Sequence, residues 1–159
     1  MTSSQRPLYK METHYYEVNL GWQYDRLGQL SSTSLTDTID VATPPEFPKG
    51  MAGVWSPEHL LVAAVSGCFM TTFLAIAENF QLEFEDFDCK AVGKLEKTDK
   101  GLQITEIELL PKLLLRHESD TNKAGKVLLK AEKACLITNS ICAKVTMQPT
   151  IRVADKDYD

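Results

Sequence analysis

Residues Ser56 to Asn79, SPEHLLVAAVSGCFMTTFLAIAEN, decide the fold. Ser56 followed by Pro57 is a helix-start signal, since the serine hydroxyl caps free N–H groups and proline has none to leave unpaired at the first helical position. From Leu60 to Ala77 there is no charged residue, so no clean polar face exists. A helix that is apolar almost all round needs cover on every side. Near its middle sits Cys68, between Gly67 and Phe69. The run is also long enough to consider a membrane span. Ser66, Gly67, Thr71 and Thr72 inside it, and the absence of flanking Lys/Arg clusters, favour a buried helix of a soluble protein.

The 159 residues suit one domain, expected over 11–153 between a polar tail at 1–10 and an acidic tail at 154–159. A net charge of -5 argues against nucleic acid or an anionic membrane as partner, because both call for basic patches. The first sixteen residues show no apolar signal-peptide core, so a cytoplasmic chain with reduced thiols is expected.

Outward from the central helix, residues 11–22 read as a strand rich in aromatic and β-branched side chains. A turn at Tyr24–Gly28 leads to a strand at Gln29–Thr33, and another is expected at Thr38–Ala42. A Pro/Gly-rich connection, Pro44 to Gly53, runs up to the helix. Beyond the helix, Phe87–Lys97 alternates apolar and polar positions, as a half-buried antiparallel strand does. Thr98-Asp99-Lys100-Gly101 turns it into a long strand, Leu102–Arg116, with a break or bulge expected near Pro111. Apolar residues at helical spacing predict an amphipathic helix from Thr121 to about Ile137, and Ala143–Val153 reads as a last strand. The order predicts an α+β fold, a mostly antiparallel sheet around a long buried central helix, with a second helix. One six-stranded sheet cannot surround an all-apolar helix, and a second copy of the chain is the simplest cover. A homodimer is therefore expected.

The four cysteines, 68, 89, 135 and 142, contain no close pair of metal-ligand spacing, and His14, His59 and His117 are scattered, so no metal is expected. Cys89 and Cys142 read as small core-filling side chains. Cys68 and Cys135 each fall on the inward face of a helix. Two inert buried thiols remain the simpler reading unless something stabilises a thiolate. Mid-helix Cys68 gains nothing from a helix dipole, and Arg26 is the candidate cation.

Two motifs add to this. S-P-E-H-L-L-V-A-A-V-S-G-C-F, Ser56 to Phe69, resembles the [NS]-P-E-x-L…A/G-C-F signature of the OsmC/Ohr family of osmotically inducible and organic-hydroperoxide-resistance proteins. K-A-E-K-A-C-L-I-T-N-S, Lys130 to Ser140, is similar to that family's second motif, in which a proline commonly occupies the place of Leu136. The resemblance spans nearly the whole chain apart from its tails. It implies an intertwined dimer and a thiol peroxidase without a cofactor. It also implies Cys68 as the attacking thiol, Cys135 as the resolving one, and Arg26 held by Glu58 as the activating pair. The implied partners are an organic hydroperoxide substrate and a thiol or lipoyl-type dithiol reductant. An apolar substrate pocket would be drawn from Leu61, Val65, Phe69, Phe47 and Trp55. Leu27 replaces the aspartate of the family's R-D-G turn. Glu58 precedes Cys68 by ten residues, about 15 Å along one straight helix, so the implied site draws on two chains. The rival functions are a redox-sensing or binding dimer of the same fold and a thioesterase. The thioesterase lacks the acid it needs on the central helix.

Overall fold

The computed structural model describes residues 12–155, so the tail expected at 1–10, and all but the first two residues of that at 154–159, lie outside the described residues. The chain divides into an N-terminal unit ending at Trp55 and a C-terminal unit beginning at Ser56.

In the N-terminal unit, β1 (Asn19–Tyr24), β2 (Leu27–Ser31) and β3 (Ile39–Ala42) form an antiparallel three-stranded sheet in that order. The strand expected at 11–22 begins only at Asn19; residues 12–18, with Tyr15 and Tyr16, form no regular element among the described residues. Asp25 takes the left-handed conformation (φ 45°) that closes the tight β1–β2 turn at Asp25-Arg26. Val41 bridges to Trp55, and the Ala42 N–H donates to the Trp55 carbonyl at 2.8 Å, so the Pro/Gly-rich connection returns to β3 before ending.

The C-terminal unit is built on α1 (Pro57–Asn79). Its N-cap Ser56 is fully buried and accepts the His59 N–H at 3.2 Å. β4 (Phe84–Thr98) and β5 (Gly101–Leu115) make a long antiparallel hairpin, and α2 (Thr121–Ala134) follows. β6 (Lys144–Met147) and β7 (Thr150–Val153) then run parallel to β5 along its free side, one after the other. The single strand expected at 143–153 is divided at Gln148-Pro149, where a proline cannot extend a ladder. Pro111 is buried and causes no break in β5. It faces Cys89 in register, in the two-residue gap between the stretches that pair with β6 and β7. The architecture is α+β, with two sheets in place of the single sheet expected.

The hairpin is instead irregular at two places, with an extra residue at Glu85 in β4 and another at Thr105 in β5, opposite Lys94 and Leu95. At the second of these the in–out alternation of β4 changes phase, with Lys94 and Leu95 both exposed. Leu95, expected inward, is exposed, while Glu96 turns partly inward and accepts a short hydrogen bond from the Thr105 hydroxyl.

Val65, Phe69, Phe73 and Ala77 recur every four residues and form the buried stripe of α1. They pack with Ile107, Leu109, Leu113 and Leu115 of β5 and with Ala124, Val127, Leu128 and Ala131 of α2. Phe73 stacks on Phe87 with ring centres 4.5 Å apart. Another part of the α1 circumference is uncovered in a single chain: Met70 is 41% and Leu74 42% exposed. Cover on all sides, as its composition requires, is therefore incomplete within one chain. By length and composition alone α1 could cross a membrane, but its stripe is an integral part of this core.

Where α1 crosses β4, Gly93 leaves room for Val62. A Cβ at position 93 would stand 2.5 Å from the Val62 Cγ2, and a β-branched side chain has little freedom to withdraw. Gly93→Ala is expected to destabilise the protein by about 1–3 kcal/mol in urea unfolding. Val62→Ala in the same chain should recover part of that loss. An unchanged midpoint for Gly93→Ala would show that this approach is not close.

Candidate active site at the junction of the two helices

Cys68 lies one turn beyond Val65 on α1, and residues three apart on a helix share a face. α2 ends at Ala134, three residues earlier than the apolar periodicity suggests, because Cys135 leaves the helical conformation (φ -63°, ψ 112°). That ending occurs with Leu136, not proline, in the next position. As the C-cap residue, Cys135 is completely enclosed, and its Sγ touches the Val65 carbonyl oxygen at 4.0 Å. The Cys135 side chain is thereby brought within hydrogen-bonding reach of the Cys68 thiol. All four cysteines are free thiols.

The electrostatics at Cys68 are set by opposing effects. Partial burial pushes its thiol up. The N–H of Ile137, the Cys135 side chain, the Thr72 hydroxyl and the N–H of Leu136 together outweigh burial, and the thiol ends below the ordinary cysteine value. Thr72, one turn further on α1, has its Oγ1 4.0 Å from the Cys68 sulfur. Every group in this balance that favours the thiolate is a hydrogen-bond donor and none is a side-chain cation. Cys89, on the inner face of β4, is pushed the other way, by burial first and also by the neighbouring Asp88 charge.

The other residues expected at a site fall as follows. Arg26 is exposed, on the β1–β2 turn of the N-terminal unit. Phe47 is half-buried and Trp55 exposed in that same unit. Glu58 stands in the first turn of α1 with its Oε2 shielded from solvent and without a hydrogen-bond partner among the described residues. Because α1 is continuous from Pro57 to Asn79, Glu58 and Cys68 do stand about 15 Å apart along it. Leu61 is half-buried, whereas Val65 and Phe69 are wholly enclosed in the core and present no surface to a ligand within this chain. Among the described residues, no group of three or more His, Cys, Asp or Glu side chains is arranged to hold a metal ion.

Three contributors to the site carry no motif of their own. The Leu136 and Ile137 donors belong to the backbone, which every sequence possesses. Thr72 was not singled out, although its place four residues from Cys68 on one helical face is the signal that could have found it. In the turn after α2, Thr138 adds a buried hydroxyl without a partner among the described residues.

A partly exposed thiol with a lowered pKa beside an enclosed second thiol is an arrangement that two-cysteine redox chemistry can use. A family model described as OsmC-like protein matches residues 50–150, across both motifs and both cysteines. The chain belongs to the OsmC family. An uncharacterized Bacillus subtilis protein, YmaD, is 27% identical over 143 residues, covering 87% of this chain and 93% of that relative. An OsmC-like protein of unknown function from Vibrio cholerae has the same fold, with a TM-score of 0.78 at 24% identity over 86% of this chain and 99% of its own. An organic hydroperoxide resistance protein OsmC from Legionella pneumophila superposes with a TM-score of 0.69 at 23% identity, over 89% of this chain and all of its own (100%).

The opposite displacements of Cys68 and Cys89 predict an order of reactivity. A lowered pKa keeps the Cys68 thiolate present to lower pH, and a raised one defers the Cys89 thiolate to higher pH. At neutral pH iodoacetamide should modify Cys68 at least about tenfold faster than Cys89, measured by peptide mapping over time. Equal rates would contradict the electrostatic balance described above.

Proposed function

We propose that the protein reduces organic hydroperoxides to alcohols by cysteine chemistry, with residues 11–153 acting as one OsmC-like domain. The observation that supports this most is the apposition of the half-exposed Cys68 thiol and the enclosed Cys135 thiol. The name of the Legionella pneumophila structure, and that of a Bacillus subtilis OhrB structure at a TM-score of 0.62, point the same way.

The Cys68 thiolate attacks the terminal oxygen of the hydroperoxide, the O–O bond breaks, and the alkoxide leaves as an alcohol after taking a proton. Cys68 is then a sulfenic acid. The Cys135 thiol displaces its hydroxyl as water and closes a Cys68–Cys135 disulfide. A thiol or lipoyl-type dithiol supplies two electrons and restores both thiols by exchange. Members of the family typically form dimers and draw on thiol reductants.

Arg26 holds its role as the cation that polarises the peroxide through the sequence resemblance. The unpartnered Glu58 oxygen supports a carboxylate waiting for such a guanidinium. A homodimer covers the exposed apolar face of α1, and a partner's α1 supplies Glu58 where one helix cannot. Leu61 forms the wall of an apolar substrate pocket, with Val65 and Phe69 shaping it from behind and Phe47 and Trp55 extending it. Such a pocket favours an organic hydroperoxide over hydrogen peroxide. The compartment is the cytoplasm, where an exchangeable thiol pair stays reduced.

With dithiothreitol or dihydrolipoamide present, the protein should consume cumene hydroperoxide catalytically, and Cys68→Ser should reduce consumption to the reagent background. Cys135→Ser should complete a single turnover and leave a Cys68 sulfenic acid open to dimedone. Arg26→Ala should slow the peroxide step with disulfide reduction unaffected. Full activity in Cys68→Ser would overturn the proposal. A disulfide that forms without turnover in any dithiol would favour a redox-sensing dimer instead. Sedimentation as a monomer at micromolar concentration would remove the two-chain site.

A further inference from the structure

The turn after α2 carries a device that the two cysteines alone do not disclose. Three successive carbonyl oxygens in it are engaged in the forward direction along the chain. The Cys135 carbonyl accepts the Asn139 N–H at 3.1 Å, the Leu136 carbonyl accepts the Ser140 hydroxyl at 2.8 Å, and the Ile137 carbonyl accepts the Ser140 N–H at 2.9 Å. In a trans peptide unit the N–H points opposite to the C=O on the same plane, and this chain contains no cis bond among its described residues. Fixing the carbonyls of Cys135 and Leu136 therefore fixes the N–H groups of Leu136 and Ile137 in the reverse direction. Neither N–H has a backbone acceptor among the described residues. Cys135, whose Sγ lies 4.0 Å from the Val65 carbonyl oxygen, carries this turn beside the α1 segment that holds Cys68, and both N–H groups favour the Cys68 thiolate.

We infer that residues 135–140 form a hydrogen-bonded cradle whose Leu136 and Ile137 N–H groups hold the Cys68 sulfur as a thiolate, with Ser140 as its positioning residue. The two N–H groups touch a reacting atom and are catalytic; Ser140 acts through them by orienting the Leu136–Ile137 peptide. The inference deepens the peroxidase reading, because the thiolate it stabilises is the proposed nucleophile. It also couples activation to resolution, since the cradle begins at Cys135 itself.

Position 136 makes the cradle testable, because what matters there is the main chain. The Leu136 side chain is 67% exposed and contributes little packing. Cys135, at φ -63° and ψ 112°, already has the extended backbone that a following proline requires. Leu136→Pro thus removes one donor with little steric demand on the residue before it.

The experiment measures the rate of Cys68 alkylation by iodoacetamide against pH in the reduced full-length protein, with no peroxide present. Leu136→Pro should move the profile to higher pH and slow alkylation about tenfold at neutral pH. Ser140→Ala should move it the same way by a smaller factor, and Ser140→Thr, which keeps the hydroxyl, should restore it. Circular dichroism checks that each variant is folded. If Leu136→Pro fails to fold, replacement of Leu136 by its α-hydroxy acid removes the same N–H without the ring. A folded protein lacking the Leu136 N–H whose profile matches the parent's would overturn the cradle. Because no hydroperoxide enters the assay, its failure is separate from a failure of peroxidase activity.

Discussion

The contact of Cys135 with the Val65 carbonyl joins the end of one helix to the middle of the other, and the candidate chemistry depends on it. α1 offers a stripe of Val65, Phe69, Phe73 and Ala77, and α2 answers with Ala124, Val127, Leu128 and Ala131. Small side chains on α2 let the helix approach closely, and β5 completes the enclosure. Burying these apolar surfaces stabilises the unit and fixes where α2 stops relative to α1. Once α2 stops at Cys135, the thiol is sealed while Cys68, one turn along from Val65, stays partly open. Asymmetric access suits a pair in which one sulfur meets substrate and the other meets only its partner.

Thiolate stabilisation here follows from the same packing. A cation is the expected means of activating a mid-helix cysteine, and Arg26 was the natural candidate. The favourable groups found around Cys68 are instead two backbone N–H groups, a threonine hydroxyl and the second thiol. Hydrogen bonds to a charged acceptor are among the stronger ones, so several together can offset partial burial. On the proposed peroxidase reading, an arginine would be left the separate task of polarising the peroxide oxygen.

Much of this was legible in the sequence. The Ser-Pro start, the charge-free run and the helical spacing at 124–135 defined both helices, and the two cysteine motifs indicated the family. Features set by one residue of register were not. The bulge at Thr105, opposite Lys94 and Leu95, puts Leu95 and Glu96 out of phase, and alternation within β4 cannot reveal a residue inserted in the neighbouring strand. Pro111 looked like a break and is absorbed, because the strands beside β5 change over at that point. Backbone donors at Leu136 and Ile137 leave no trace in residue identity. The all-apolar helix was read as needing cover on every side, and one chain leaves part of it, including Met70 and Leu74, exposed.

The central claim is that helix packing makes Cys68 and Cys135 one redox unit. It is tested most directly by adding one equivalent of cumene hydroperoxide to the reduced protein, without reductant, and mapping disulfides by mass spectrometry. The account predicts a Cys68–Cys135 bond within each chain and the loss of two thiols per hydroperoxide consumed. A bond to Cys89 or Cys142, or a Cys68 oxidised to sulfinic acid while Cys135 stays free, would contradict it.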